Sequence, residues 1–260
     1  MVFFKKKERL LPRDSTLSRR RYDKMIAYYE RSKQADLEQI MEATGDLNQG
    51  IQRYPTPNME IIRRATVSYW HQCLFQFSTF YSMGSEWRVL TEGYEGVLEA
   101  AKQLDQLDAY AYKECLATVS LAVLVGGPED LASLKKICED SYGGDPLLQF
   151  LLSPTDYSQA QPQSLFIEKP YDGCLQVIEL AQHDQGAALV RLQRYIQQGW
   201  KIRGSYRNYS QYNNNRYAGN WCYESAALVK LLGLDDTSWR SEQYYPYDLV
   251  HGSGTAESED

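Results

Sequence analysis

Apolar positions recur every three to four residues along almost the whole chain, and alternation at period two is scarce. Asp14 or Ser15 can cap a first helix running to about Lys33, with Tyr22, Met25, Ile26 and Tyr29 along one stripe. A short second helix leads into a loop holding Gly45, Gly50, Pro55 and Pro57. Asn58 opens a helix that reads to about Met83 and stops at Gly84. Tyr69, Trp70, Leu74, Phe75, Phe77 and Phe80 cover most of its circumference, which predicts a central, buried helix. The next helix, from Glu86 to about Leu107, is amphipathic. Leu90, Tyr94, Val97, Leu98, Ala101 and Leu104 share one side, and Glu92, Glu95 and Glu99 another.

Helical patterning continues near 109–125, 129–141, 146–152, 171–183, 185–198 and 220–232, with Gly126-Gly127-Pro128 as a firm break. Ser164 to Ile167 is the one short strand candidate. The pattern predicts an all-α fold, a two-part bundle of roughly eight to ten helices. Its parts are residues 1–126 and 127–250, with residues 251–260 expected to form a disordered acidic tail.

Composition narrows the class. A hydrophobic share of 43% over 260 residues excludes wholesale disorder. No apolar run approaches the roughly 18 residues of a transmembrane helix, and the N-terminus lacks the apolar core of a signal peptide. The five cysteines are widely spaced and never form C-x-x-C, so they read as reduced thiols in a cytoplasmic protein. The 21 Tyr against 7 Phe favour seams that end in water and protein-binding surfaces.

The formal charge of −6 conceals a polarised chain. Residues 1–33 hold 11 Lys and Arg against 4 Asp and Glu, net +7; the other 227 residues hold 17 against 30, net −13. The stretch from Glu86 to Asp145 alone is net −7. An acidic body favours a basic partner.

Enzymatic constellations are thin. There is no P-loop, no G-x-S-x-G and no H-E-x-x-H, and three histidines leave few members for a triad or metal centre. No cofactor or metal is expected. Arg64 and His71, seven residues apart on one helix, resemble the motif of the helical HEPN ribonucleases, in which arginine and histidine act on the RNA phosphate. Aromatic neighbours of His71 also suit a structural histidine. The segment Arg191 to Arg216 carries six basic residues, no acid, and interleaved Tyr195, Trp200, Tyr206, Tyr209 and Tyr212, which suits phosphate contact and base stacking. The acidic chain as a whole opposes that reading. Lys5 to Arg9 and Arg19 to Arg21 lack the adjoining apolar face that membrane anchoring needs.

Near the C-terminus stand Tyr217-Ala218-Gly219-Asn220-Trp221-Cys222-Tyr223-Glu224-Ser225-Ala226-Ala227, then Gly233-Leu234-Asp235-Asp236, then Tyr244-Tyr245-Pro246-Tyr247-Asp248-Leu249. This ordered set resembles the PoNi family of immunity proteins. Arg13-Asp14 and Tyr81 to Gly84 extend the resemblance more loosely towards the N-terminus. The resemblance implies an all-α, non-catalytic, cytoplasmic protein. It would bind and block a PoNe-type DNase toxin of bacterial competition, including type VI secretion, rather than nucleic acid or membrane. Such toxins resemble restriction-endonuclease-like nucleases with a basic DNA groove. Glu92, Glu95, Glu99, Glu129, Asp130, Asp235 and Asp236 are therefore the candidate toxin-binding acids. Tyr217, Trp221, Glu224 and Leu228 fall at i, i+4, i+7 and i+11 and predict one helical stripe, with Glu224 buried and satisfied by Tyr hydroxyls or an Arg. Tyr245, Pro246 and Asp248 read as a tail docked on the helices. The residue pattern leaves the oligomeric state open.

Overall fold

Asp145 and Pro146 illustrate how local chemistry sets the elements. The Asp145 carboxylate accepts from the amides of Leu147 and Leu148, both at 3.0 Å, and Pro146 needs no partner in the first turn. A helix therefore begins there. The computed structural model describes residues 12–105, 107, 111–155, 164–204 and 217–252. The described residues form ten α-helices and no strand. They are α1 (Arg19–Asn48), α2 (Asn58–Ser82), α3 (Trp87–Ala101), α4 (Tyr112–Leu124), α5 (Pro128–Tyr142), α6 (Pro146–Leu152), α7 (Asp172–Ala181), α8 (Gln185–Arg194), α9 (Tyr223–Leu232) and α10 (Tyr247–His251). The last turn of α8 widens into a π-helical segment, Tyr195–Gly204. The all-α expectation holds, and Ser164 to Ile167 is irregular, with bends at Phe166 and Ile167, instead of a strand.

α1 and α2 form a long antiparallel hairpin, and α3 folds back along α2. α1 runs fifteen residues past Lys33, because Gln34 to Met41 are good helix formers with no breaker among them. α4 is the innermost element. Apart from Lys113, every side chain from Tyr112 to Leu124 is buried, and the run Leu116-Ala117-Thr118-Val119-Ser120-Leu121-Ala122 is small enough for α9 to pack closely against it. The sequence predicts α2 as the central helix. α2 does supply buried Trp70, Leu74, Phe77 and Tyr81, but its first half lies outside the core. Trp70 donates to Thr118 Oγ1 at 3.2 Å, so its ring is buried with its one donor satisfied.

One cluster of buried apolar side chains extends from Trp70 to Leu249 and runs through both sides of the Gly126-Gly127-Pro128 break. Lys230 on α9 donates to the carbonyl of Leu124 across the same boundary, at 2.9 Å. A smaller cluster of Leu17, Tyr22, Met25, Tyr29, Met83, Tyr217 and Ala218 seats the start of α1. All five cysteines are buried and free.

Candidate functional site

The C-terminal motif residues form a joint between chain ends rather than a helical stripe. α9 starts only at Tyr223, so Tyr217 and Trp221 precede it and share no face with Glu224. Tertiary contacts hold this segment out of helix. The Cys222 amide donates to the Tyr244 carbonyl at 2.8 Å, and Gly219 adopts φ +101°. A Cβ on Gly219 would lie 2.0 Å from Ser82 Oγ and 2.6 Å from Trp221 Nε1. Trp221 Nε1 donates to Ser82 Oγ at 2.8 Å, and its ring meets Tyr81 edge-on with centroids 4.8 Å apart. Tyr217 donates its hydroxyl to Asp14, and Tyr223 donates to Ser78 Oγ at 2.9 Å. Arg13 pairs with Asp248 while donating to the Tyr81 carbonyl at 3.1 Å.

Tyr245 and Pro246 are buried, and Asp248 opens α10, docked on this joint. Glu224 is 4% exposed and accepts from Tyr195 at 2.7 Å. Burial pushes its carboxyl up from the ordinary carboxylate range, with the Tyr195 hydroxyl opposing part of the shift.

The acidic candidates divide by environment. Glu92, Glu95 and Glu99 are exposed along α3, opposite the buried Leu90, Tyr94, Val97 and Leu98. Arg88 pairs with Glu92 at 3.0 Å and Lys102 with Glu99 at 2.8 Å, both exposed and therefore weak. Glu129 is exposed at the start of α5. Asp130 beside it turns inward, accepting from Tyr94 at 2.9 Å and from the Gly127 amide at 3.1 Å. It is a capping residue that fastens α5 to α3. Asp235 is exposed, and bonds from Thr237 lower its pKa.

Asp236 is 2% exposed and accepts from Tyr245 at 2.6 Å, with His251 Nε2 2.9 Å away. Asp236 therefore lies in the interior and does not belong to an acidic surface. The sequence starts the tail at residue 251, but His251 ends α10; residues 253–260 lie outside the described part.

Two family profiles match in tandem: PoNe immunity protein (PoNi), N-terminal, over residues 13–136, and PoNe immunity proteins (PoNi), C-terminal, over residues 143–249. The chain belongs to the PoNi family. Membership implies an immunity protein whose partner is a cognate PoNe toxin. No curated protein matches this PoNi chain in sequence. A solved structure, the crystal structure of protein PA2201 from Pseudomonas aeruginosa, shares its fold. The TM-score is 0.62 at 17% identity, over 93% of the PoNi chain and 90% of the other.

The rival chemistries of this PoNi protein are placed as follows. Arg64 is exposed and bonds Glu60, whose carboxyl two arginines, Arg63 and Arg64, hold down at about 2. His71 packs against Trp70 and Phe75. In the Arg191 to Arg216 segment, Tyr195 and Trp200 are buried core residues rather than stacking platforms, and Arg191 donates to Gln176 at 2.6 Å. Tyr206, Tyr209 and Tyr212 lie outside the described residues. Among the described residues no cluster of three or more His, Cys, Asp or Glu could hold a metal, and no helix is long and apolar enough to cross a membrane.

Proposed function

We propose that this PoNi protein is a non-catalytic, cytoplasmic antitoxin that neutralises a DNase toxin delivered between competing bacteria. It does so by presenting an acidic helical surface to the toxin's DNA-binding groove. The observation that carries the reading is the exposed row Glu92, Glu95 and Glu99 on α3, with Glu129 also exposed at the start of α5. A nuclease groove holds Lys and Arg side chains placed for phosphates. Carboxylates spaced one helical turn apart compete for the same cations. Like-signed charge on the body also speeds encounter with a basic partner.

Co-expression with a candidate cognate PoNe-type nuclease tests the reading. The expected outcome is restored growth and co-purification of the pair, with association that slows steeply as salt rises. The triple variant Glu92→Lys, Glu95→Lys, Glu99→Lys is expected to keep its melting temperature and lose protection. Unrescued growth with the wild-type protein, or full protection by the triple variant, would overturn it.

A further inference from the structure

Six of the eight large apolar side chains that stand exposed among the described residues lie between positions 37 and 59, on the far half of the α1–α2 hairpin. They include Met41 at 64%, Tyr54 at 50% and Met59 at 58% exposure. Residues 30–64 contribute nothing to either cluster of buried apolar residues, so this half of the hairpin is an arm outside the core.

The loop at its tip is nevertheless tightly fixed. Arg53 forks onto Asp46 with two bonds of 2.9 Å and lies 3.3 Å from Glu42. Gln52 donates to the carbonyls of Tyr54 and Thr56, and Asn58 donates to that of Ile51 at 2.7 Å. The Gln52 and Arg53 side chains and the Asn58 amide nitrogen are thus engaged within the hairpin while Ile51, Tyr54 and Met59 face water. That inverts the usual surface and matches a pre-ordered binding anchor.

Beside the tip, Met59, Ile62 and Val67 of α2 face Leu104 across a groove of about 330 Å³. Gln103 and Asp105 also line it, and Gln103 stands one turn beyond Glu99. The acidic row of α3 therefore leads into the groove. The cations nearest the tip and groove are already paired, Arg53 with Asp46 and Arg63 and Arg64 with Glu60. Residues 30–64 are net −1, with 6 acids against 5 bases. An apolar patch bordered by acids complements a basic surface carrying an apolar protrusion. A second copy of this chain would bring one acidic row against another.

We infer that the tip of the α1–α2 hairpin and the adjoining groove anchor the toxin, taking an apolar side chain that stands among its Lys and Arg residues. This rests on the proposed toxin-binding reading and divides the labour within it: the α3 acids steer, and the hairpin tip holds.

The nuclease domain of a candidate cognate PoNe-type toxin is immobilised, and three proteins are compared at low and high salt. These are the wild type, the tip variant Ile51→Ser, Tyr54→Ser, Met59→Ser, and the α3 triple charge reversal. The tip variant is expected to bind about 100-fold more weakly, through faster dissociation and with an unchanged salt slope. The charge reversal is expected to slow association and flatten the slope. The substituted positions are exposed, so the melting temperature should hold. If the triple variant melts early, the single Tyr54→Ser variant is expected to lose about tenfold. Wild-type affinity in the tip variants overturns this inference and leaves the toxin reading standing. Absence of binding and of growth rescue by the wild type overturns both. A dimer in sedimentation that the tip substitutions dissolve would assign the patch to a second copy instead.

Discussion

Arg13 and Asp248, 235 positions apart in the chain, form an ion pair. The guanidinium also lies 4.6 Å above the Tyr81 ring and donates to the Ser85 carbonyl at 3.3 Å. One side chain thus binds the end of α2 and the start of α10. Arg13→Ala is expected to cost about 2 kcal/mol, and Arg13→Lys most of that, because an ammonium cannot reproduce the fork. Urea unfolding of the two variants measures both; a loss within 0.3 kcal/mol for Arg13→Ala, roughly the noise of such data, would contradict the account.

Asp235 and Asp236 are adjacent but in different environments. Asp235→Lys removes only the exposed acceptor of the Thr237 amide and hydroxyl and is expected to cost about 1 kcal/mol or less. Asp236→Ala leaves the buried Tyr245 hydroxyl without its acceptor and should cost about 2–4 kcal/mol. Thermal melts of the pair, side by side, decide the matter; equal melting temperatures would refute the assignment.

Glu224 sets a pH dependence of unusual sign. Its folded pKa is raised above the ordinary 4.5, so the folded protein keeps the proton longer than the unfolded chain. The stabilisation is complete below about 4.5 and is lost as pH rises through the folded value. Glu224→Gln keeps an acceptor for Tyr195 and does not ionise. The variant should therefore gain on the wild type as pH climbs through this window, then hold a constant lead. A difference that stays flat from pH 4 to 8 in denaturant titrations would rule the shift out.

Gly219→Ala meets both a positive φ and the Ser82 hydroxyl, and should cost about 3 kcal/mol. Gly233, at φ +63° with nothing within 4 Å of a Cβ, provides the comparison: Gly233→Ala should cost only about 1 kcal/mol. If the two substitutions cost the same, the close approach at Ser82 is not real.

The elements that the sequence made readable are those governed by neighbours a few residues away. α6 begins and ends where Pro146 and Leu152 place it, and the buried and exposed sides of α3 follow from a 100° repeat. What escaped was set by distant groups. The apparent stripe of Tyr217, Trp221 and Glu224 presumes helix where bonds to Ser82 and Tyr244 impose another backbone path. Asp236 looks like Asp235 in a sequence, because its burial depends on the return of Tyr245 and His251. The exposed apolar hairpin tip was missed because Ile51, Tyr54 and Met59 resemble core residues until the inward-turned polar groups around them are seen.

The joint that binds Arg13 and Asp14 to Asp248 and Tyr217 also constrains how such genes can diversify. A crossover near Gly126 would pair the front of one relative with the back of another, and every bond across the joint would have to be matched again. Shuffling of halves is therefore penalised by the fold itself. On the proposed toxin-binding reading, new specificities are more cheaply reached by point changes on the exposed face of α3 and at the hairpin tip, where Glu92, Glu95, Glu99, Ile51, Tyr54 and Met59 are exposed.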